Sequence, residues 1–236
     1  MTEQETLEVL TRKLERLEAV QACRNLMGKY SYYHTAFRNK EYIDLWAKRD
    51  DDLLVMPWGS YQGFEGVKAC YMKDHGDRSD PKVLDSLKGA VMMHEMDTEV
   101  IEVAEDGKTA KGAWLSPGHE TYVDGQVPGM SKEEGSGQAH AEWCWGKYAV
   151  DFIKEDSGEW KIWHMRLYPL FKCEYGESWV DTKQPSPEDY TFMSSQRSTS
   201  WWSYSPTEVY PANEPAIPWP YEKFEDVGIT FMDQEG

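Results

Sequence analysis

Leu7, Leu10, Leu14, Leu17 and Val20 recur at three- and four-residue steps with charged residues between them, so residues 4–32 read as one amphipathic helix, which Leu26, Met27, Tyr30 and Tyr33 extend. A second, short helix is predicted over Asn39–Ala47, with Asn39 as its N-cap and Tyr42, Ile43 and Trp46 on its buried side. Asp50–Asp52 form a polar turn before the apolar run Leu53–Trp58, and Gly59–Gly63 make a hairpin turn leading into a third helix at Phe64–Lys73. The stretch Asp74–Asp85 is polar throughout and reads as a loop, a candidate lid over a pocket, with His75 solvated within it.

Beyond residue 90 the period shortens to that of strands. Val91–Val103, Thr109–Tyr122, Gln138–Lys154 and Glu159–Tyr168 are predicted as strands, separated by turns at Glu105–Lys108 and Glu155–Gly158 and by a break at Asp124–Gly137. Helices first and an antiparallel meander afterwards is an α+β order, not the alternation of a parallel sheet. After Phe171 the chain changes character: seven of the twelve prolines fall there, and aromatic residues including Trp201, Trp202, Tyr210, Trp219 and Tyr221 interrupt it too often for a solvated linker. Two units are therefore expected, a body over residues 1–175 and an extended arm over 176–236 that packs on the body or on a neighbouring subunit.

Composition narrows the function. A net charge of −17 and a pI near 4.7 disfavour nucleic acid and anionic membrane surfaces, because an acidic chain repels phosphate. Four scattered cysteines form no CxxC pair and fit reduced thiols, and the charged N-terminal segment does not resemble a signal peptide, so the cytoplasm is the expected location. The 11 Trp, 14 Tyr and 7 Phe exceed what a hydrophilic chain needs, and a share of them is expected to wall a small-molecule pocket.

The long first helix, the RNKEYIDLWA second helix, the unit LLVMPWGSYQGFEGVKACYM and the closing pair WGKYAVDFIKEDSGEWKIWHMRLY resemble the SnoaL-like branch of the nuclear transport factor 2 (NTF2) superfamily over residues 5–175. That resemblance implies a cone, in which a curved antiparallel mixed sheet wraps the long helix, with a C-terminal arm outside it. Within the superfamily the chemistry is similar to that of scytalone dehydratase-type cofactor-free lyases. Their two strand-borne histidines fall on His94 and His119, and their tyrosine–aspartate pair falls on Tyr33 and His34, so an imidazole replaces the carboxylate. The family's serine and asparagine fall near Gly146 and Tyr148. The resemblance implies no cofactor and does not choose among dehydration, retro-aldol cleavage and isomerisation.

From the residues themselves, His94 and His119 stand on neighbouring strands on either side of the Glu105–Lys108 turn, at similar heights, and a buried pair divides into one acid and one base. Either could instead be a core histidine bonded to a backbone carbonyl. Alternation puts His140 on one face with Glu142, Cys144, Gly146 and Tyr148, a face expected to point inward because Gly146 admits a ligand or backbone. His164, Arg166 and Tyr168 share another face suited to a phenolate or carboxylate, or to a rim ion pair. Tyr30, Tyr61, Trp46 and Trp58 complete the expected substrate-binding set. No HxxxH or HxH pair supports a metal, and no GxSxG, phosphate loop or GxGxxG is present. The expected function is a cofactor-independent lyase or isomerase acting on a small aromatic or polyhydroxylated molecule, in a homodimer or homotrimer. A non-catalytic binding protein and a metal-dependent enzyme are the alternatives.

Overall fold

The computed structural model describes residues 2–76, 78, 80–126, 136–190, 193–196, 203–209 and 214–231. Trp201, Trp202 and Tyr210 of the expected arm, and residues 127–135 of the expected break, lie outside them.

Helix α1 (Glu3–Thr35) begins at a capping box in which Thr2 accepts from the Glu5 amide while the Glu5 carboxylate accepts from the Thr2 amide. Its inward stripe is Ala19, Cys23, Leu26, Met27 and Tyr30; the leucines before residue 19 are exposed, so only the second half of the helix enters the core. Helix α2 (Asn39–Ile43) is shorter than expected. Asn39 is its first residue rather than its cap, and its side-chain amide donates to the Tyr71 and Gly76 carbonyls, tying this helix to the loop beyond the next one.

Strands β1 (Leu53–Met56) and β2 (Gly59–Gln62) form the predicted hairpin, followed by α3 (Gly63–Lys68), a π-helical turn over Ala69–Asp74, and a short α4 (Pro81–Ser86) inside the stretch read as a loop. Asp80 accepts from the Lys82 amide and Pro81 occupies the first turn, which is why a helix starts there.

The predicted strands over Val91–Val103 and Thr109–Tyr122 each divide in two: β3 (Val91–His94), β4 (Asp97–Val103), β5 (Thr109–Ser116) and β6 (Gly118–Val123). Pro117, which has no amide hydrogen to offer, separates the last two. Long strands β7 (Ala139–Lys154) and β8 (Trp160–Glu174) run through the whole sheet. Its order is β2-β1-β8-β7-β5-β4, with β6 continuing alongside β7 and β3 alongside β6. β1 lies parallel to β8 and the other pairs are antiparallel, so the sheet is mixed.

This is an α+β cone of the NTF2-like kind. The inner half of α1, α2 and the concave face of the sheet enclose one core in which Met27, Tyr30, Tyr42, Trp46, Leu54, Tyr148, Phe152, Ile162 and Met165 meet. No described helix is long and apolar enough to cross a membrane.

The C-terminal segment returns along the body. On the convex face Phe231 packs with Leu53, Val55, Ala149 and Tyr168, and Lys111 binds Asp151 at 3.1 Å and the Thr230 hydroxyl at 3.0 Å. His164 also faces outward here: its Nδ1 lies 3.0 Å from Asp151 and its ring stacks on Trp163.

Candidate functional site

A cavity lies between the end of α1 and the β3–β6–β7–β8 part of the sheet. Apolar side chains dominate its wall, including Met56, Trp58, Met92, Leu167 and Phe171. Polar groups enter at a few places.

The first is the last turn of α1, which carries His34 inward beside Tyr30. The His34 ring meets the edge of the His94 ring, with centroids 5.2 Å apart and planes at 80°. Burial pushes the His34 pKa down to about 3. His34 is therefore a neutral imidazole at physiological pH, and its Nδ1 is buried with no hydrogen-bond partner among the described residues.

His94, at the end of β3, is buried and bonds through Nε2 to Glu120 Oε1 at 2.8 Å. Glu120 in turn accepts from the Tyr122 hydroxyl and from Lys172 Nζ at 3.0 Å, and Lys172 also pairs with Glu142 at 2.8 Å. Burial alone would raise the Glu120 pKa; the Lys172 ammonium and the bonds from His94 and Tyr122 outweigh it and hold the carboxyl well below its usual range. An ionised Glu120 accepts the Nε2 proton, which leaves Nδ1 as the basic nitrogen of His94.

Gly118 makes this arrangement feasible. A Cβ there would collide with the Cys144 carbonyl oxygen and stand 2.7 Å from His94 Nδ1.

A second polar group is the Tyr30–Tyr148 hydroxyl pair, 2.8 Å apart. Burial raises both, Tyr30 to about 12, so they act as neutral hydroxyls. A third is His75, expected to be solvated but in fact half-buried in the cavity wall, its Nδ1 donating to the Cys70 carbonyl at 2.7 Å and its ring stacked on Tyr71. The bonds from Asn39 that hold the Gly76 carbonyl draw this segment inward, and burial lowers the His75 pKa to about 4.

The expected His94–His119 pairing is not present. Val100 pairs with Ala113, but three residues earlier Asp97 pairs with Leu115, only two residues later; β4 thus carries one extra residue, with Thr98 at φ 49° within it. Without that bulge His94 would stand opposite His119. With it, Gly118 stands opposite His94 and His119 opposite Met93, so His119 turns to the other face and lies against Trp143, centroids 4.8 Å apart. The inward residues of β6 are Gly118, Glu120 and Tyr122.

The other expected residues divide similarly. Tyr30, His34, Trp58, His94 and Tyr148 line the cavity. Tyr61 stands behind it, accepting from Trp58 Nε1 and donating to Asp74, and Trp46 and Tyr33 belong to the core around α1. His140 lies at the far end of β7, 3.2 Å from Asp124, away from the cavity although Cys144, Gly146 and Tyr148 of its face do line it. Gly146 is needed for the Tyr168 carbonyl, which would stand 2.7 Å from a Cβ, rather than for a ligand. His164 and Arg166 are on the convex face, with Arg166 over the Tyr168 ring at 4.5 Å.

Sequence reasoning missed Glu120, Tyr122, Lys172, His75 and the contribution of the arm. Gln184, Pro185, Tyr190 and Met193 form part of the wall, with the Tyr190 ring 5.3 Å from that of Trp58. Asp74 anchors this strap by accepting from both the amide and hydroxyl of Ser194 at 2.9 Å.

His94, Glu120 and Cys144 place potential metal-ligand atoms within 4.8 Å of one another. The donor set suits a cation poorly, because Glu120 is already engaged by His94, Lys172 and Tyr122 and the Lys172 ammonium stands beside it.

The chain belongs to the SnoaL-like family, whose domain matches residues 15–166. Among solved structures it is similar to LinA, at 14% identity and TM-score 0.52, covering 74% of this chain and 99% of the other. It is likewise similar to a LinA-type3 hexachlorocyclohexane dehydrochlorinase from Novosphingobium barchaimii LL02, at 14% identity and TM-score 0.51, covering 73% and 99%. A putative scytalone dehydratase from Novosphingobium aromaticivorans follows at 16% identity and TM-score 0.49, covering 72% and 93%. No curated protein sequence matches the chain.

Proposed function

We propose that this protein is a cofactor-independent lyase or isomerase that removes a proton from carbon in a small, largely apolar ring compound bearing at least one oxygen. The observation that carries the reading is the His94–Glu120 pair, 2.8 Å apart and buried, facing a neutral His34 in an apolar cavity. An imidazole oriented by an ionised carboxylate can accept a proton, and the carboxylate then stabilises the imidazolium without itself becoming protonated.

In this account His94 Nδ1 takes the proton. The electron pair left on carbon either expels a β-hydroxyl, which leaves as water on taking the proton back from the His94 imidazolium, or moves onto an adjacent carbonyl, whose oxygen is then protonated. A neutral imidazole N–H is a hydrogen-bond donor that does not compete for the proton, so His34 and the Tyr30–Tyr148 pair serve to polarise and hold that oxygen. Water loss and isomerisation share this first step; in a retro-aldol release the same base would instead take a hydroxyl proton and the bond broken would be carbon–carbon. The dehydrochlorinase and scytalone dehydratase names attached to similar structures are those of lyases, in keeping with it.

The test is to incubate the protein in D2O with a panel of small cyclic hydroxy and keto compounds, following deuterium uptake at carbon and product release by mass spectrometry. Wild-type protein is expected to exchange or convert at least one compound that its His94→Gln variant does not. Compounds that bind tightly but neither exchange nor react would establish a binding protein instead.

A further inference from the structure

The N-terminal half of α1 projects beyond the cone, and its apolar stripe is uncovered. Leu7, Leu10, Leu14 and Leu17 are 59, 57, 57 and 69% exposed, and the first buried residue of the helix is Ala19. The stripe that the periodicity assigns to the helix is thus not the one that enters the core. Among the described residues these four leucines stay more than half exposed on one side of a helix that leaves the body, and a helical segment of about fifteen residues is marginal in water without tertiary contacts.

Their spacing is three, four, three, the strict a and d positions of two heptads, narrower than the stripe of a helix that packs on a sheet. In that register the flanking e and g positions include Lys13 at g and Glu18 at e, both exposed. The next a and d positions are Gln21 and Arg24, where the helix enters the body and Arg24 is engaged by Glu99 and Gln21 of its own chain. The seam therefore stops where the cone begins.

We propose that this segment pairs with the same segment of a second copy of the chain in a parallel two-stranded coiled coil. A parallel pair sets each g residue against the e residue five positions later on the other helix, which joins Lys13 to Glu18 of the partner subunit, twice across the two-fold axis. An antiparallel overlap of the same leucines would instead place the two Lys13 side chains beside each other. Leucine at every a and d position buries the stripe, and the lysine–glutamate pairs select the orientation.

Sedimentation of the full-length chain over a micromolar to millimolar series tests this. The wild type is expected to form a dimer, and Leu10→Glu combined with Leu14→Glu to raise the dimer dissociation constant at least about a hundredfold, since each change removes apolar burial from both helices. Because neither leucine is buried in the body, near-ultraviolet circular dichroism and the melting transition should be preserved. Lys13→Glu alone should weaken the dimer about threefold to tenfold, and adding Glu18→Lys should restore it. A chain that stays monomeric throughout, or an oligomer indifferent to the leucine changes, overturns the proposal. A dimer that Lys13→Glu does not weaken overturns the parallel arrangement.

Discussion

His94 on β3 and Glu120 on β6 meet across 2.8 Å although the two side chains are not opposite each other in the sheet: Gly118 faces His94, and Glu120 reaches over from two residues further along the same inward face. The pair rests on Gly118 having no side chain and on Lys172 keeping the carboxylate ionised. Glu120→Gln preserves shape but removes the charge that would stabilise an imidazolium on His94. Turnover is expected to fall by about 10² to 10⁴ with little change in KM, measured by steady-state kinetics on whichever compound the D2O panel identifies. An unchanged kcat would remove Glu120 from the mechanism.

His34 and His75 give stability a defined pH dependence. Their pKa values are lowered to about 3 and about 4 in the folded protein, chiefly by burial, against 6.5 for the free side chain. Between those limits the unfolded chain binds more protons than the folded one. The stability linked to these groups is full above about pH 6.5 and declines as the pH falls below it, by up to about 1.4 kcal/mol per pH unit for each group. Urea unfolding at a series of pH values should show His34→Gln with a shallower acid slope than wild type over about pH 4 to 6. Equal slopes would mean that His34 is not buried in its neutral form.

His119→Ala provides the contrast to His94. Because the bulge at Thr98 turns His119 to the far side of the sheet against Trp143, its removal is expected to change turnover by less than about threefold while lowering stability by about 1 kcal/mol through lost ring packing. Loss of activity comparable to that of the His94 variant would contradict the register.

The bulge also marks the limit of what the chain discloses by pattern. The hairpin before α3 and the strands after residue 90 were legible because burial on one side imposes a period, whereas the long first helix was legible from a leucine period whose residues are exposed. His34 came to notice through the family resemblance, and His94 through that resemblance and its place on a strand neighbouring that of His119. The facing of His119 could not be read, since a single inserted residue reverses the facing of everything beyond it. Glu120 was hidden because a buried carboxylate makes sense only once its cation is known, and Lys172 lies 52 residues away. His75 sits in a polar segment whose burial depends on Asn39, a residue read as a helix cap. His164 and Arg166 occupy the face that the C-terminal segment covers, and their own strand carries no sign of that cover.

The wall segment that carries Gln184, Pro185, Tyr190 and Met193 should govern what enters. Tyr190→Ala removes a ring that packs against Trp58 in the cavity wall, and is expected to raise KM about tenfold and to admit bulkier compounds while leaving kcat within about threefold. Asp74→Asn, which weakens the hold on Ser194, should act in the same direction. A competition series with ligands of increasing size measures both; an unchanged size limit would mean that the strap does not bound the site.

The account rests on proton removal by His94, and the most direct measurement pairs binding with exchange in one sample. A compound that the wild type deuterates in D2O is titrated into the His94→Gln variant by calorimetry while exchange at carbon is followed by mass spectrometry. The account predicts an affinity within about threefold of wild type and a loss of exchange of at least about 10². Exchange that persists in the variant at the wild-type rate would contradict it.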